Sequence, residues 1–444
     1  MLRSILANPA AVYGVAIKAV QGFASLASAI FVVRYFSPEV QGYYYTFANI
    51  LALQIFLELG LSAVVNTFAA HEWARLSLGA GGAVEGDARS LSRLGSLARL
   101  VAKWYMSGAA LLFVLLAGAG TWFFGTHDAA HAVAWRLPWL VMCLVAALSF
   151  VLTPAWALLT GCGQLANLNA FRLLEVVLRS AALWACMAAG GDLWSTVVAL
   201  TVSTAASVAF LLARYRRFFA SLLCAHHGNG IHWAKELAPL QLRIAVSWMC
   251  GYFIFSLFVP VTFHFHGPAE AGRMGMTWAL VAGTSGIAGT WLQVQAPNYA
   301  MMVARKDFAA LDATALRTTA VGFLIFVGEC AVALGALLFL EQQYPEVAAR
   351  FISSRALAVF LAAECMLQLS LAQATYLRAF KQEPFLPLSL AGALIIGAGT
   401  VLLTPSLGAY GPALSYLAGM AVGLVWGTFI FFRLRRQWTA PAQT

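Results

Sequence analysis

Long apolar runs separated by short polar breaks occupy most of the chain. Each run reaches or nearly reaches the ~20 residues that a helix needs to cross the hydrocarbon of a bilayer. Because backbone groups in lipid must satisfy one another, runs of this length indicate helices, whereas a membrane barrel would need alternating strands of ~10 residues. We predict twelve spans, named span one to span twelve in order, at residues 11–33, 42–70, 101–124, 137–160, 168–190, 193–213, 239–265, 271–301, 314–340, 355–377, 384–404 and 411–432.

Composition supports this membrane location, because 61% of the 444 residues are hydrophobic and only 10% are charged. Soluble proteins carry about 25% charged residues, with which they cover a surface exposed to water. The seven cysteines are scattered without the spacing of metal ligands. Neither a Walker-type phosphate loop nor a Ser/His/Asp pattern is evident. We therefore expect a membrane protein that is not an enzyme and that uses no metal or organic cofactor.

The basic residues predict the orientation of the chain. If the N-terminus, the connections after even-numbered spans and the C-terminal tail face the cytoplasm, that side holds 20 of the 27 Lys and Arg residues and the opposite side holds 5, counting the residues at the span ends that border each side. Cytoplasmic loops collect Lys and Arg, so this bias predicts a multi-pass protein of the cytoplasmic (inner) membrane with both termini inside. The same effect explains the net charge of +10, and we expect no nucleic-acid partner.

A repeated motif divides the spans six and six. Pro38 and Gly42 follow span one, and Pro268 and Gly272 follow span seven, so Pro-x-x-x-Gly stands at the same place in each half. The proline ends the preceding helix and the glycine permits a tight turn back into the membrane. Spans that run in the same direction in both halves indicate a parallel repeat. The predicted parts are an N-terminal six-helix bundle, a basic, histidine-containing cytoplasmic linker, and a C-terminal six-helix bundle with a short basic tail, at residues 1–217, 218–238 and 239–444.

The connection between spans two and three is unusually long, and its second part has two interpretations. Between residues 90 and 103, Leu91, Leu94 and Val101 alternate with basic side chains. This pattern is typical of an amphipathic helix on the membrane surface. A plain helical extension of span three would give the same pattern, and the sequence leaves both open.

Polar side chains form stripes inside several predicted spans, and such residues usually face a cavity or a bundle interior. Lys18 and Gln21 share one face of span one with Ser25 and Ser28, at steps of three and four residues. We predict that this face lines a water-filled cavity. Glu58 lies on a similar stripe of span two. It is either a structural residue, in an ion pair with Lys18 or in a buried hydrogen-bond network, or a carboxylate that couples transport to an ion.

Span five contains Arg172, Glu175 and Arg179. Glu175 and Arg179 are four residues apart, which suits a pair within one helix, so a structural pair and a ligand site both stay open. Arginine suits phosphate because its planar fork donates two parallel hydrogen bonds, and Arg179 is our first choice for function. In the second half, Arg243 is a further candidate cation near the start of span seven. Glu364 in span ten is a candidate coupling or ion-paired carboxylate.

Two hairpins carry a resemblance to a known family. The stretch RYFSPEVQGYY at residues 34–44, followed by LELGL at 57–61, resembles the first hairpin of Wzx-type polysaccharide and O-antigen flippases. The second copy, GPAEAGRMG at residues 267–275, is also similar. This family belongs to the MOP superfamily with MATE exporters and lipid II flippases. The resemblance covers the whole chain in number and direction of spans, but its motifs are specific only at these two hairpins.

This resemblance has two departures. Lipid II flippases usually carry two additional C-terminal helices, whereas we predict twelve spans here. The acidic ion sites of MATE exporters cannot be matched residue by residue here. Both departures favour the polysaccharide branch.

The resemblance implies about twelve transmembrane helices in two pseudo-symmetric six-helix bundles around a central cavity. The implied function is a secondary transporter that flips a polyprenyl-pyrophosphate-linked oligosaccharide for polysaccharide biosynthesis by alternating access. A polysaccharide polymerase or glycosyltransferases are the implied partners, and coupling to a proton or to sodium stays open. The alternatives are a MATE-like antiporter of small cations, whose cavity should be acidic, and a non-transporting membrane protein of glycan assembly.

Overall fold

Helices account for most of the structure. The computed structural model describes residues 9–127, 133–224, 233–380 and 384–439. The α-helices in these ranges are Pro9–Tyr35, Pro38–Leu51, Ile55–Glu58, Leu61–Trp73, Ala88–Gly125, Arg136–Gly161, Leu165–Ala188, Trp194–Leu223, Ala238–Phe255, Phe258–Ala304, Phe308–Gln343, Pro345–Ala348, Ser354–Arg378, Leu386–Leu407 and Tyr410–Thr439. A 3₁₀ turn at Ala52–Gln54 and a π-helical turn at Trp233–Leu237 complete the helical segments. The prediction of an all-α membrane protein is confirmed.

The predicted number of spans is confirmed as well. Within the described ranges, nine helices are long and apolar enough to cross a membrane, and the bent pair Pro38–Glu58 and Leu61–Trp73 makes a tenth. Leu165–Ala188 is also long enough, although three charged residues make it more polar than the others. The continuous stretch Ala238–Ala304 contains two spans, because Gly267 at φ 80° and ψ −178° interrupts the helix. These segments together form twelve crossings.

Span two is broken, whereas we predicted one continuous helix over residues 42–70. Leu59 and Gly60 have left-handed φ values of 50° and 66°, and the helices on either side are bent by 50°. Glycine adopts this conformation readily, while a leucine does so rarely. Gly60 also lacks space for a side chain, since an added Cβ would lie 2.3 Å from Cγ2 of Ile244. The break was missed because Leu59 and Gly60 are themselves apolar and because the polar residues beside them, Glu58 and Ser62, keep the four-residue spacing of a continuous helix.

The connection before span three contains a hairpin and a helical extension. Strands β1 (Leu76–Leu78) and β2 (Val84–Gly86) pair antiparallel, which the sequence did not predict. A single helix then runs from Ala88 to Gly125, and Asp87 caps it by accepting a hydrogen bond of 2.8 Å from the Ser90 amide. That bond also lowers the pKa of the Asp87 carboxyl. Of the two interpretations, the extension of span three is therefore the one that forms.

The predicted linker at residues 218–238 is helical at both described ends. The helix of span six continues to Leu223, and the π-helical turn begins at Trp233. The linker histidines His226, His227 and His232 lie outside the described residues. Arg93 of the span-three extension holds the far end of the linker in place, because it forms ion pairs with Glu72 at 2.7 Å and with Glu236 at 2.6 Å.

Contacts divide the chain into two compact units. The first unit includes the chain up to Val40 and Ile50–Met249, and the second unit includes Gln41–Asn49 and the chain from Cys250 onward. Each unit thus contains a short segment from the other half of the sequence. The first turns of span two belong to the second unit, and the first turns of span seven belong to the first. This exchange was not part of the prediction.

Candidate functional site

Spans one and five lie side by side within the first unit. The indole Nε1 of Trp184 donates a hydrogen bond of 2.9 Å to Oγ of Ser28. A Cβ added to Gly14 would lie 3.9 Å from Nδ2 of Asn169. Both contacts join residues with nearly the same separation in sequence, so the two helices run parallel. The polar stripes predicted on these spans therefore belong to neighbouring helices.

This arrangement places Lys18 at the level of Arg172 and Glu175, close to one end of the two helices. Ser25 lies near the level of Arg179, further along. Gln21 is exposed between these two levels. The candidate residues of spans one and five thus lie at matching levels along the axes of two neighbouring helices.

The four candidate cations share one property: they are exposed and have no partner. Lys18, Arg172, Arg179 and Arg243 are all exposed at the protein surface. Among the described residues, none of the four forms a hydrogen bond or an ion pair. Charged groups without partners are costly inside a membrane unless they meet water or a ligand of opposite charge. In the described part of the chain, these cations are therefore not neutralised by a protein group.

Glu58 does not pair with Lys18. Its Oε1 accepts a hydrogen bond from the hydroxyl of Ser62, across the break at Leu59 and Gly60. Neither Glu58 nor Lys18 forms an ion pair in the part of the chain that the structure describes. Of the two structural alternatives for Glu58, the structure shows a hydrogen bond to a neutral partner and not the ion pair with Lys18.

Glu175 does not pair with Arg179 either. The Ser203 hydroxyl of span six donates a hydrogen bond of 2.5 Å to Oε1 of Glu175. The spacing within span five would allow an ion pair between Glu175 and Arg179, but the Glu175 carboxyl is hydrogen-bonded to Ser203 on a neighbouring helix instead. Arg179 is left available, as the alternative of a ligand site requires.

Glu364 is the most deeply buried of the three carboxyls, with 2% of its surface exposed. The Tyr416 hydroxyl donates a hydrogen bond of 2.6 Å to its Oε1, and the Ser285 hydroxyl donates to its Oε2. Gln368 supports Ser285 by donating to its backbone carbonyl at 3.4 Å. The sequence did not indicate Tyr416 or Ser285, because they lie on spans twelve and eight.

Aromatic rings surround this carboxyl in the second unit. Tyr416 lies within 6.4 Å, between ring centroids, of Phe255, Phe258, Trp278 and Phe360. Four of the contacts among these rings are edge-to-face, the geometry that aromatic pairs prefer. The rings fix the Tyr416 side chain and keep its hydroxyl directed at Glu364.

The three carboxyls thus follow one pattern, in which hydroxyl groups replace the expected cations. A hydroxyl can donate to a carboxylate and can also accept from a protonated carboxyl group. Glu58, Glu175 and Glu364 can therefore gain or lose a proton, or bind a small cation, without losing their protein partners. This chemistry differs from that of an ion pair, which holds an acid in its charged form.

The two copies of the repeated motif meet each other. Gly42 packs against the backbone of Pro268, since an added Cβ would lie 1.9 Å from the Pro268 carbonyl oxygen. Next to it, Nε2 of Gln41 donates a hydrogen bond of 2.9 Å to the carbonyl of Gly272. Pro38 opens the first helix of span two. The motif was predicted to shape each hairpin, and the structure adds that it joins the hairpins.

Comparison with solved structures identifies the fold. An inward-facing multidrug resistance MATE transporter of the MOP superfamily gives a TM-score of 0.70 at 15% identity, over 94% of this chain and 96% of that chain. The lipid II flippase MurJ in an inward closed conformation gives 0.66 at 11% identity, over 94% and 87%. A MOP superfamily transporter from Pyrococcus furiosus, described as having a binding pocket of reverse polarity, gives 0.55 at 14% identity, over 96% and 97%.

No protein-family model matches the sequence, and no curated protein does either. The chain therefore has the fold of MOP superfamily transporters and flippases, and the likeness lies in structure rather than in sequence. The superfamily that the two hairpins suggested is the one whose fold is found. The structural neighbours include both drug transporters and a lipid flippase, so the fold does not choose between these cargoes.

Proposed function

We propose that this protein is a secondary transporter that flips a polyprenyl-pyrophosphate-linked oligosaccharide across the cytoplasmic membrane for polysaccharide biosynthesis. The observation that supports this proposal is the set of four exposed cations that have no partner among the residues the structure describes, Lys18, Arg172, Arg179 and Arg243. The cargo combines a charged pyrophosphate with polar sugars, neither of which crosses hydrocarbon unaided. Cations that are not neutralised by the protein can replace the water around the phosphates.

Lys18 and Arg172 are the pair best placed to bind first, because they lie at one level near the predicted cytoplasmic ends of neighbouring spans. Arg179 lies about two turns further along span five, since a helical turn contains 3.6 residues. A pyrophosphate that moves from Lys18 and Arg172 to Arg179 would stay close to a positively charged side chain along the way. Arginine adds the geometry for binding two phosphate oxygens at once.

The setting of this activity follows the predicted topology. The protein would lie in the inner membrane with both termini in the cytoplasm, and would receive its cargo from glycosyltransferases there. A polysaccharide polymerase would take the cargo on the other side. The chain would act without an organic cofactor and without catalysing a reaction, by alternating access.

Energy for transport would come from a proton or sodium gradient through Glu58, Glu175 or Glu364. Glu364 is the strongest of these because it is buried and has two hydroxyl partners from other spans. Binding of a proton or cation there would alter contacts among spans eight, ten and twelve at once. The site therefore reaches several helices of the second unit.

A MATE-like antiporter of small organic cations is the second function to consider. The observation in its favour is that the three candidate carboxyls, Glu58, Glu175 and Glu364, have no cationic partner among the described residues. An organic cation could use a carboxyl of this kind as its counter-charge. The two functions differ in the sign of the cargo's charge, so one experiment can separate them.

That experiment deletes the gene and examines the lipid-linked glycans of the cell. We expect a polyprenyl-pyrophosphate oligosaccharide to accumulate on the cytoplasmic side, with loss of a surface polysaccharide that the wild-type gene restores. Susceptibility to cationic drugs, measured in parallel, should not change. Unchanged glycans together with increased drug susceptibility would favour the antiporter and reject the flippase.

A further inference from the structure

Spans nine and ten are consecutive helices that pack against each other. Their connection is held by Glu341, whose carboxyl accepts hydrogen bonds from the Ser354 amide at 3.0 Å and from the Ser354 hydroxyl at 2.9 Å. Cys330 lies eleven residues before Glu341, and Cys365 lies eleven residues after Ser354. Because an α-helix rises by the same distance for each residue, the two cysteines lie at the same level of this antiparallel pair.

The two thiols meet at this level. They lie within hydrogen-bonding distance of each other, and both are free thiols. Eleven residues of helix correspond to roughly 16 Å, about half the thickness of the hydrocarbon. The pair therefore lies near the middle of the membrane. Cys330 is buried there, whereas Cys365 is partly exposed.

A carboxyl group stands beside each thiol, because Glu329 precedes Cys330 and Glu364 precedes Cys365. Both carboxyls are close enough to Cys330 to interact with it electrostatically. One oxygen of Glu329, Oε2, is buried and has no hydrogen-bond partner among the described residues. It can accept the proton of a thiol, and loss of that proton is the step that makes the sulfur nucleophilic.

The depth of the pair determines which redox partners reach it. Soluble thiols keep cytosolic cysteines reduced, but exchange with a disulfide requires that a thiolate reach the sulfur. A charged thiolate enters hydrocarbon only at high cost, so a pair at this depth is shielded from such reductants. An apolar quinone dissolves in the hydrocarbon itself, and the partly exposed Cys365 gives it a point of approach.

We propose that Cys330 and Cys365 are a modification site at which a membrane quinone forms a disulfide, and that this disulfide slows transport by tying span nine to span ten. This inference rests on the proposed transport function. Each thiol gives up one proton and one electron as the sulfur–sulfur bond forms, and the quinone takes up both electrons and both protons to become a quinol. The bond lies next to Glu364, so it restrains the helix that carries this candidate coupling residue.

The test oxidises the purified protein in proteoliposomes with a ubiquinone, whose fully substituted ring accepts electrons but does not add to thiols. Free thiols are then blocked with a maleimide under denaturing conditions, and thiols that dithiothreitol releases receive a second label. We expect peptide mass spectra to show the second label on both Cys330 and Cys365 in most molecules. The oxidised sample should flip lipid-linked oligosaccharide roughly tenfold more slowly, because a covalent tie hinders a conformational step. Dithiothreitol should restore the rate.

Cys330→Ser is the matched control, because serine has nearly the shape of cysteine but forms no disulfide. In this variant the quinone should leave the flipping rate unchanged, and Cys365 should stay free. Cys250, a buried cysteine of span seven, should remain without the second label in every sample. Second labelling of Cys365 that persists in Cys330→Ser would show oxidation of a single thiol and reject the pair. If Cys330→Ser does not reach the membrane, Cys365→Ser removes the other thiol and replaces it as the control.

Two further outcomes would overturn the proposal. Thiols that both stay free after oxidation would show that the quinone does not reach them or that their geometry forbids the bond. A disulfide that leaves flipping unchanged would show that the bond does not control transport. Labelling needs no cargo, so a disulfide in a protein that flips no lipid-linked oligosaccharide even when reduced would retain the modification site and reject the proposed cargo.

Discussion

Replacing Lys18 and Arg179 by alanine should reduce translocation of the lipid-linked oligosaccharide more than any other pair of changes. Hydrogen bonds to charged groups contribute about 1.5–3 kcal/mol each, so each loss should cost roughly tenfold to a hundredfold. The two residues lie at different levels of neighbouring helices, and their effects should add approximately. The measurement is the rate of flipping in proteoliposomes at equal protein amounts.

Conservative changes separate charge from geometry in this experiment. Lys18→Arg keeps the charge and should retain most activity, whereas Arg179→Lys loses the planar fork and should be only partly active. Arg216→Ala is the matched control, because Arg216 is also exposed but lies at the end of span six beyond the predicted membrane boundary. Flipping at the wild-type rate by the double alanine variant would show that the cations do not bind the cargo.

Glu364→Gln should uncouple transport from the ion gradient and leave the protein folded. Glutamine has the shape of a protonated glutamate, and its amide oxygen can accept from the Tyr416 hydroxyl while its amide nitrogen donates to the Ser285 hydroxyl, so both hydroxyls keep a partner. It cannot gain or lose a proton and is a weak ligand for a cation. In proteoliposomes with an imposed proton or sodium gradient, the variant should flip cargo at one rate whatever the gradient.

Two comparisons test whether this effect belongs to the carboxyl. Glu364→Ala should destabilise the protein by about 1–3 kcal/mol as well, because two buried hydroxyls lose their acceptor. Glu346→Gln makes the same chemical change at an exposed acid and should leave coupling intact. A gradient response that persists in Glu364→Gln would move the coupling role to Glu58 or Glu175.

Much of the fold could be predicted because each span is a local property of the sequence. A run of about twenty apolar residues forms a helix in lipid whatever its neighbours are. Span five was found in this way although Arg172, Glu175 and Arg179 make it the most polar. The break in span two was missed because Leu59 and Gly60 are apolar and the bend depends on packing against Ile244.

The partners of the charged residues could not be predicted, because they depend on contacts between helices. Spacing suggested that Glu175 would contact Arg179, but the carboxyl accepts a hydrogen bond from Ser203 of span six instead. The same holds for Glu364, whose hydroxyl partners come from spans eight and twelve. Spacing within one helix limits which side chains can meet, and packing between helices decides which of them do.

The three charges of span five also bear on how the protein enters the membrane. Each charged residue near a helix centre opposes insertion by about 2.5–3.5 kcal/mol on the scale measured with the cellular translocon. Arg179, near the middle of span five, therefore opposes the insertion of this span taken alone, whereas Arg172 lies nearer its end. Ser28 of span one and Ser203 of span six provide its first polar contacts, and span six is synthesised after it. Because the Ser203 contact comes from a helix that follows span five in the chain, we expect span five to insert more readily when span six is present.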